Sequence, residues 1–336
     1  MVDFPRSEAE ISSVWLSQVL GCPVSVQGSE RIGVDEGFTG GGLIRIILED
    51  CSMVVKLSPQ DVNLRTVFAA ANAREVTFYQ LSVGRGLPVP ACYFGAFDAE
   101  NGASILLIED IDTQRSVSFL TGCNVAEIRE VTQVLAQVHS AFWDTEVAKG
   151  LPALALLEEF DFARMWAGYS AKVAKLLPDV VLPERFVALG DWLAGETREI
   201  FMRMMVGPQT VVHRDAQVDN VLFGEGAVLL DWQFMGRGLG VHDLAFFMIS
   251  SVVPEVRRGI EDAVIAQYHG ALGDNAYTLD QCRMDYLFGA IWRLFITVMA
   301  TTQLDNASGH KRDWRRADLV RLIAFFEDHE IGSECF

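Results

Sequence analysis

The spacing of apolar and polar residues changes character about one third of the way along the chain. The first part contains short runs rich in β-branched residues, separated by turn-forming residues such as Asp50-Cys51-Ser52 and Glu100-Asn101-Gly102. Such runs are typical of strands joined by tight turns. One stretch without Gly or Pro has apolar residues at helical spacing. The pattern predicts strands over residues 43–49, 53–57, 93–97 and 104–108, and a helix over residues 65–81.

After Glu109-Asp110 helical periodicity dominates, and it is interrupted by one β-rich segment, residues 210–232. We therefore predict an α+β fold of two lobes. A small β-rich lobe spans residues 1–110 and a larger helical lobe spans residues 111–336. The helices of the second lobe are predicted over residues 125–143, 160–177, 183–205, 254–272 and 279–303.

The composition indicates a folded chain and argues against one class of partner, nucleic acids. Half of the 336 residues are hydrophobic and 21% are charged, which excludes general disorder. The chain has 45 acidic and 27 basic residues, a formal charge of −18. Because an acidic surface repels phosphate polymers, we expect no nucleic-acid partner.

The sequence also predicts a cytoplasmic protein that does not enter a membrane. The longest apolar stretch, residues 286–300, contains Arg293 and is shorter than the roughly 20 residues that a bilayer requires. The first ten residues carry no apolar signal region. The six cysteines form no C-x-x-C pair, so we expect reduced thiols.

Candidate chemistry is concentrated in the β-rich segment 210–232. It reads His213-Arg214-Asp215, then Asn220 after four residues, then a strand, a turn and a strand that ends at Asp231. If the two strands form a hairpin, Asn220 falls opposite Asp231, with Cβ atoms about 5 Å apart. Two such oxygen donors could share Mg²⁺, whose other ligands are waters and substrate phosphates.

Asp215 lies one loop upstream of this pair. A carboxylate beside a metal-binding pair is what phosphoryl transfer from ATP needs, because it can accept the proton of an attacking hydroxyl. The competing interpretation is a polar loop whose Asp and Asn residues only cap turns. The whole pattern, H-R-D-x4-N followed by the strand-turn-strand and its Asp, favours the catalytic interpretation.

This segment resembles the catalytic core of the protein-kinase-like fold, in its small-molecule branch of aminoglycoside phosphotransferases, choline kinases and the ecdysteroid-kinase-like (CHK) group. Asp231-Trp232-Gln233, a Gly-rich turn at 236–240 and Asp243-Leu244-Ala245 resemble the last group most. Most members carry Gly where Arg214 stands, so the local loop contacts of this chain depart from the family pattern.

The resemblance implies an ATP site in the first lobe. A strand lysine holds the α- and β-phosphates and a helix glutamate orients that lysine, roles that fall on Lys56 and Glu75. Glycines before the first strand would let backbone N–H groups approach phosphates. The lobe connector would bind adenine through its backbone. The implied nucleotide-binding residues are thus Lys56, Glu75, Gly40, Gly41, Gly42, Glu109 and Ile111, with Asn220 and Asp231 as ligands of Mg²⁺.

Other polar and aromatic residues are interpreted as structural. We expect Asp243 to cap a helix or to anchor the catalytic loop. Histidines 139 and 213 are expected to pack or to orient the loop. Aromatic residues at helical spacing are more typical of a core than of an acceptor pocket; these are Trp143, Trp292 and Phe295. The only basic cluster, residues 311–316, is either a solvated face or an arm for an anionic acceptor.

The predicted function is an ATP- and Mg²⁺-dependent kinase with Asp215 as the catalytic base. The acceptor is a hydroxyl of a small molecule, and the resemblance allows an amino alcohol, aminoglycoside, sugar or steroid-like alcohol. One alternative is a hydroxyacyl-CoA kinase. Another is a metal-dependent phosphohydrolase that uses His213 and His242-Asp243 as ligands. A third is a non-catalytic scaffold of the same fold. The sequence does not define an oligomeric state.

Overall fold

The computed structural model describes residues 4–32, 42–111, 115–153, 161–273, 276–302 and 309–335. The chain divides into two compact units. The first unit comprises Met1–Gln114 and Val228–Met235, and the second comprises Arg115–Ala227 and Gly236–Phe336. The segment that carries Asp231 therefore belongs to the first unit. The predicted lobes, residues 1–110 and 111–336, stay a prediction.

The first unit contains five strands, β1 (Gly28–Ile32), β2 (Gly42–Ile47), β3 (Ser52–Leu57), β4 (Cys92–Phe97) and β5 (Ser104–Glu109). They form one antiparallel sheet with the order β1-β2-β3-β5-β4. Met53, Val55 and Leu57 of β3 lie in the hydrophobic core of this unit. Successive side chains of a strand point to opposite faces, so Lys56 points away from that core.

Two helices complete this unit, α1 (Ser13–Leu20) and α2 (Val62–Ser82). The predicted helix 65–81 is confirmed as α2, which starts earlier because the Asp61 side chain accepts a hydrogen bond from the Leu64 N–H (2.9 Å). The strands predicted in this region are also confirmed. Helix α1 and strand β1 were not predicted; β1 exposes its three central residues and lacks the apolar alternation that marks a buried strand.

The second unit is mainly helical, as predicted. The helix predicted over residues 160–177 is two helices that meet at Gly168. Three further helices were missed. Helix α4 (Glu146–Gly150) has only five residues, α8 (Val241–Ser251) is buried nearly all round and so shows little periodicity, and α11 (His310–Asp328) buries Asp318 and Arg321. The helices are α3 (Val125–Ala141), α4 (Glu146–Gly150), α5 (Phe162–Ala167), α6 (Tyr169–Leu176), α7 (Glu184–Met204), α8 (Val241–Ser251), α9 (Pro254–Ala271), α10 (Leu279–Thr302) and α11 (His310–Asp328).

The predicted β-rich segment consists of short strands rather than long ones. Strand β6 (Thr210–Val212) pairs antiparallel with β9 (Gly236–Gly238) inside the second unit. Between them come β7 (Val221–Phe223) and β8 (Ala227–Leu229) along the chain. The catalytic-loop candidate, residues 213–220, lies between β6 and β7 and includes one 3₁₀ turn.

Helix α10 is the long apolar helix of the second unit. Within the described ranges it alone is long and apolar enough to cross a membrane, but 67% of its apolar window is buried inside the structure. One such helix is weak evidence for a membrane span, because the core helix of a globular protein passes the same test. Arg293, in the middle of α10, is buried and forms an ion pair with Asp318 of α11.

Candidate active site

Lys56 lies at the centre of a charged group in the first unit. Its Nζ atom donates hydrogen bonds to Oε1 of Glu75 on α2 (2.8 Å) and to Oδ1 of Asp231 (3.2 Å). The register of β3 explains the placement, since Lys56 stands on the face opposite the core residues Val55 and Leu57. Three of the residues singled out from the sequence thus come together.

The three charged groups differ in exposure. The Glu75 side chain is 4% exposed, whereas that of Asp231 is 42% exposed. Burial alone would lower the pKa of Lys56, but the carboxylates of Glu75 and Asp231 raise it, so the ammonium stays protonated. Burial raises the pKa of Glu75, Lys56 opposes that rise and Asp231 adds to it. One ammonium therefore serves two carboxylates.

Helix α2 also fixes the backbone around Asp231. Arg74 Nε donates to the carbonyl oxygen of Gln233 (2.8 Å), and Phe78 stacks on Trp232 with ring centroids 3.5 Å apart. Asp231 itself has a φ of +59°, in the left-handed region that only Gly adopts at low cost. The sequence did not reveal the hydrogen bond from Arg74 to Gln233 or the stacking of Phe78 on Trp232. Trp232, beside the candidate metal ligand, was the signal that could have indicated a packed segment.

In the second unit, Asp243 holds the start of the loop 213–220. Its carboxylate accepts hydrogen bonds from the backbone N–H groups of His213 (2.5 Å) and Arg214 (2.8 Å). The ring of His139 lies 3.2 Å from the same carboxylate. Burial opposes ionisation of Asp243, but these contacts outweigh it and lower its pKa. Of the two expected roles, Asp243 has that of loop anchor.

The interior of the loop brings Asp215 and Asn220 together. The Asn220 amide Nδ2 donates to the Asp215 carbonyl oxygen (2.8 Å) and to its Oδ2 atom (3.0 Å). His213 Nδ1 accepts a hydrogen bond from the Asp215 N–H (3.3 Å), so His213 orients the loop from a buried position. Both Asp215 and Asn220 remain partly exposed. The predicted juxtaposition of Asn220 with Asp231 stays a prediction.

Arg214 stands where most members of the resembling families carry Gly, and it has the backbone conformation that glycine favours. Its φ is +67°, a backbone conformation that glycine adopts readily and other residues rarely. Here the buried guanidinium donates to the carbonyl oxygen of Arg237 (2.8 Å). It also lies against Gly236, where a Cβ atom would be 2.5 Å from Nη1 of Arg214. The side chain of Arg214 therefore fills space that only glycine at position 236 leaves open.

The described residues among the remaining predicted nucleotide-binding residues lie at or just after the ends of strands. Gly40 and Gly41 fall outside the described residues, and Gly42 begins β2, paired with Leu57. Glu109 ends β5 and its N–H donates to the carbonyl oxygen of Ala91 (2.9 Å). Ile111 follows in the partly buried connector.

Asp110, between Glu109 and Ile111, forms side-chain contacts with two strands that the sequence did not reveal. It forms an ion pair with Arg45 (2.5 Å) and accepts a hydrogen bond from Ser52 Oγ (2.6 Å). Burial opposes ionisation of Asp110, and these two hydrogen bonds lower its pKa below the usual value. The start of the connector is thereby tied to β2 and β3.

The aromatic residues considered for an acceptor pocket form packing contacts and a hydrogen bond within the second unit. Trp292 Nε1 donates to the carbonyl oxygen of Arg214 (3.0 Å), so it supports the catalytic-loop candidate from α10. Phe295 packs in the core against Phe162 and Phe201. Trp143 is partly buried beside Tyr277, with ring centroids 5.6 Å apart.

The phosphohydrolase alternative finds no support in the described residues. Among them, no group of three or more His, Cys, Asp or Glu side chains could hold a metal ion. Asp243 is committed to two backbone N–H groups, and His213 faces the backbone of Asp215.

Comparisons with known proteins identify the family and the fold of the chain. Residues 44–282 match the model of the phosphotransferase enzyme family. A candidate aminoglycoside phosphotransferase from Ralstonia eutropha JMP134 is 16% identical with a TM-score of 0.56, over 95% of this chain and 97% of that one. Choline kinase LicA from Streptococcus pneumoniae is 16% identical with a TM-score of 0.52, over 93% and 97% of the two chains.

A third solved structure, a spectinomycin phosphotransferase in complex with ADP and spectinomycin, is 13% identical with a TM-score of 0.51, over 95% and 99% of the two chains. No curated protein matches the chain. The structural likenesses confirm the predicted two-part α+β kinase-like fold, and the family model covers most of the sequence. The chain belongs to the phosphotransferase enzyme family.

Proposed function

We propose that this phosphotransferase uses ATP and Mg²⁺ to phosphorylate a hydroxyl group of a small molecule. One observation carries the proposal: Lys56 is held between Glu75 and Asp231 with its ammonium protonated. An ammonium in this setting binds the α- and β-phosphates of a nucleotide, and Glu75 fixes its position. Gly40, Gly41 and Gly42 would approach the phosphates, and the backbone of Glu109 and Ile111 would bind adenine.

The residues present fit Mg²⁺. Asp231 offers a carboxylate that is 42% exposed, while Lys56 satisfies only one of its oxygens. The Asn220 amide nitrogen is turned toward Asp215, which leaves the carboxamide oxygen as the metal-binding atom. When bound, Mg²⁺ would neutralise charge that develops on the transferred phosphoryl group. Asn220 and Asp231 are the ligands that we propose.

Asp215 is the proposed catalytic base. The acceptor oxygen attacks the γ-phosphorus, and a new O–P bond forms while the bond from the γ-phosphorus to the β–γ bridging oxygen breaks. ADP leaves with that electron pair, and the hydroxyl proton passes to the Asp215 carboxylate. Asn220 donates to Oδ2 of Asp215 and so orients the carboxylate for this transfer.

Asp215→Asn tests the base assignment. We expect Mg·ATP binding to be retained and turnover to fall by about 10²–10⁴-fold, because the amide cannot accept the proton. Turnover is measured as ATP consumption with a panel of hydroxyl compounds. Glu225→Gln is the matched control, since Glu225 is an exposed carboxylate in the turn after β7. Turnover of Asp215→Asn within about threefold of wild type would contradict the assignment.

The panel of hydroxyl compounds contains every acceptor class that the resemblance allows and the alternative acceptor, hydroxyacyl-CoA. These classes are amino alcohols, aminoglycosides, sugars and steroid-like alcohols. Assignment to the ecdysteroid-kinase-like group stays a prediction. We also propose a cytoplasmic location, which is supported by the six cysteines, all of them free thiols.

A further inference from the structure

The basic segment 311–316 lies in the first two turns of α11, and its arginines differ in their partners. Arg316 donates from Nε to Oδ2 of Asp179 (2.5 Å), and this hydrogen bond lowers the pKa of Asp179. Arg316 is therefore a surface cation that already has a counter-charge. Arg315, the adjacent residue, has a different environment.

Arg315 is partly buried, and no described carboxylate lies within ion-pair distance of its guanidinium. Its Cζ atom stands 4.4 Å from the ring centroid of Trp314. Burial lowers the pKa of Arg315 from its usual value, the charge of Arg293 adds to this effect, and the carboxylates of Asp318 and Asp215 oppose it. Among the described residues, the guanidinium is thus partly withdrawn from water and contacts an aromatic ring, but it has no carboxylate in ion-pair contact. Such a cation is stabilised by a bound anion.

Trp314 fixes this guanidinium beside the catalytic-loop candidate. Its Nε1 atom donates to Oδ2 of Asp219 (2.9 Å), and Asp219 immediately precedes Asn220. Phe119 stacks on the indole with ring centroids 4.0 Å apart. Arg315 thus lies against an aromatic side chain that is hydrogen-bonded to the loop of Asp215. The charge of Asp215 reaches Arg315, so the two groups share one region of the second unit.

We propose that Arg315 binds an oxyanion group of the acceptor, a carboxylate or a phosphate, and holds its hydroxyl near Asp215. The proposal rests on the proposed function. It narrows the acceptor to a hydroxy acid or a phosphorylated alcohol, because a guanidinium binds such groups with paired hydrogen bonds and repels an amino alcohol. The chain carries a net charge of −18, so carboxylates are abundant, yet none in the described part of the chain forms an ion pair with Arg315.

The test uses matched compounds that differ in one group. Glycerate is compared with glyceramide, glycerol 3-phosphate with glycerol, and ethanolamine serves as the cationic probe. Binding to the full chain in the presence of Mg·ADP is measured by calorimetry, and turnover by ATP consumption. We expect an anionic member to bind better than its neutral partner, and the two pairs distinguish a carboxylate from a phosphate.

Arg315→Met should weaken binding of that anion by about 10- to 100-fold and raise KM accordingly. Arg316→Met, the adjacent control, should leave the preference unchanged. Arg315→Lys, which keeps the charge, should retain part of it and guards against misfolding of the methionine variant. Mg·ADP affinity should be equal in all of these proteins.

Three results would overturn the inference. The first is that no anionic probe binds better than its neutral partner. The second is that Arg315→Met binds the anion as wild type does. The third is that Arg315→Met shifts the pH profile of kcat and leaves the KM for the acceptor unchanged. This result would mean that Arg315 affects only the titration of Asp215 and does not bind the acceptor. If one of these results is obtained while neutral or cationic alcohols are phosphorylated, this inference fails and the proposed function stands. Absence of Mg·ATP binding would instead refute the proposed function.

Discussion

His242 gives the sharpest prediction of pH dependence. It lies in the first turn of α8, and its Nε2 atom is buried without a hydrogen-bond partner in the described part of the chain. Burial lowers the pKa of His242 to about 4, the charge of Asp243 opposes this shift, and that of Arg214 adds to it. The folded protein therefore keeps the ring neutral at pH values where an unfolded histidine, with a pKa of about 6.5, binds a proton.

Because the unfolded chain binds the additional proton, stability must fall as the pH drops through this window. With a folded pKa of about 4, linkage predicts that His242 removes about 1.4 kcal/mol of unfolding free energy at about pH 5.5, relative to about pH 8. At about pH 5 the predicted loss is about 2 kcal/mol. The effect belongs to His242 alone, so a variant that cannot titrate at this position must lack it.

The assay is urea unfolding, followed by tryptophan fluorescence, of wild type and His242→Gln between about pH 8 and about pH 5. Titration of all other groups is common to both proteins and cancels in the difference. We expect the difference in unfolding free energy, wild type minus variant, to fall by about 2 kcal/mol over this range. Parallel curves, with a difference constant to within about 0.5 kcal/mol, would show that His242 is not held neutral and would refute the reasoning.

Three further predictions concern packing and thiol chemistry. Gly289→Val should lower the unfolding free energy by about 1–3 kcal/mol, because even a Cβ atom there would lie 2.6 Å from that of Ala245; an unchanged urea midpoint would contradict the close contact of α8 and α10. Gly236→Ala should destabilise wild type by about 1–3 kcal/mol but cost much less in an Arg214→Gly background; strictly additive losses would mean that the two residues do not share space. Burial raises the pKa of the Cys123 and Cys282 thiols to about 12. These two cysteines should therefore react with a thiol reagent only after unfolding, in contrast to the exposed Cys22, Cys51 and Cys335. Rapid labelling of Cys123 and Cys282 in the native protein would count against their burial.

The sequence could predict those parts of the site that depend on local geometry. The alternation of β3 places Lys56 opposite the core, and the spacing of Asp215 and Asn220 lets one loop bring them together. Glu75 follows on the next helix, so its contact with Lys56 also needs little tertiary information. The roles of Lys56 and Glu75 were implied by the resemblance to the kinase-like families, whereas the spacing of Asp215, Asn220 and Asp231 pointed to phosphoryl-transfer chemistry before the resemblance was named.

The other contacts could not be read from sequence, because they join residues far apart in the chain. His139 reaches Asp243, 104 positions later, and Trp314 reaches Asp219 across 95 positions. Helix α8 was missed because it is buried on nearly every side, so it shows no polar face to mark the helical period. The environment of Arg315 likewise depends on packing of α11 that no local pattern specifies.

The central claim is that the chain binds Mg·ATP through Lys56, held by Glu75 and Asp231. The most direct measurement is a calorimetric titration of wild type and Lys56→Met with ATP, in the presence and absence of Mg²⁺. We predict that wild type binds ATP and binds it more tightly with Mg²⁺, and that Lys56→Met weakens binding by about 10- to 100-fold. Equal affinity of the two proteins for Mg·ATP, or no binding by wild type, would contradict the account.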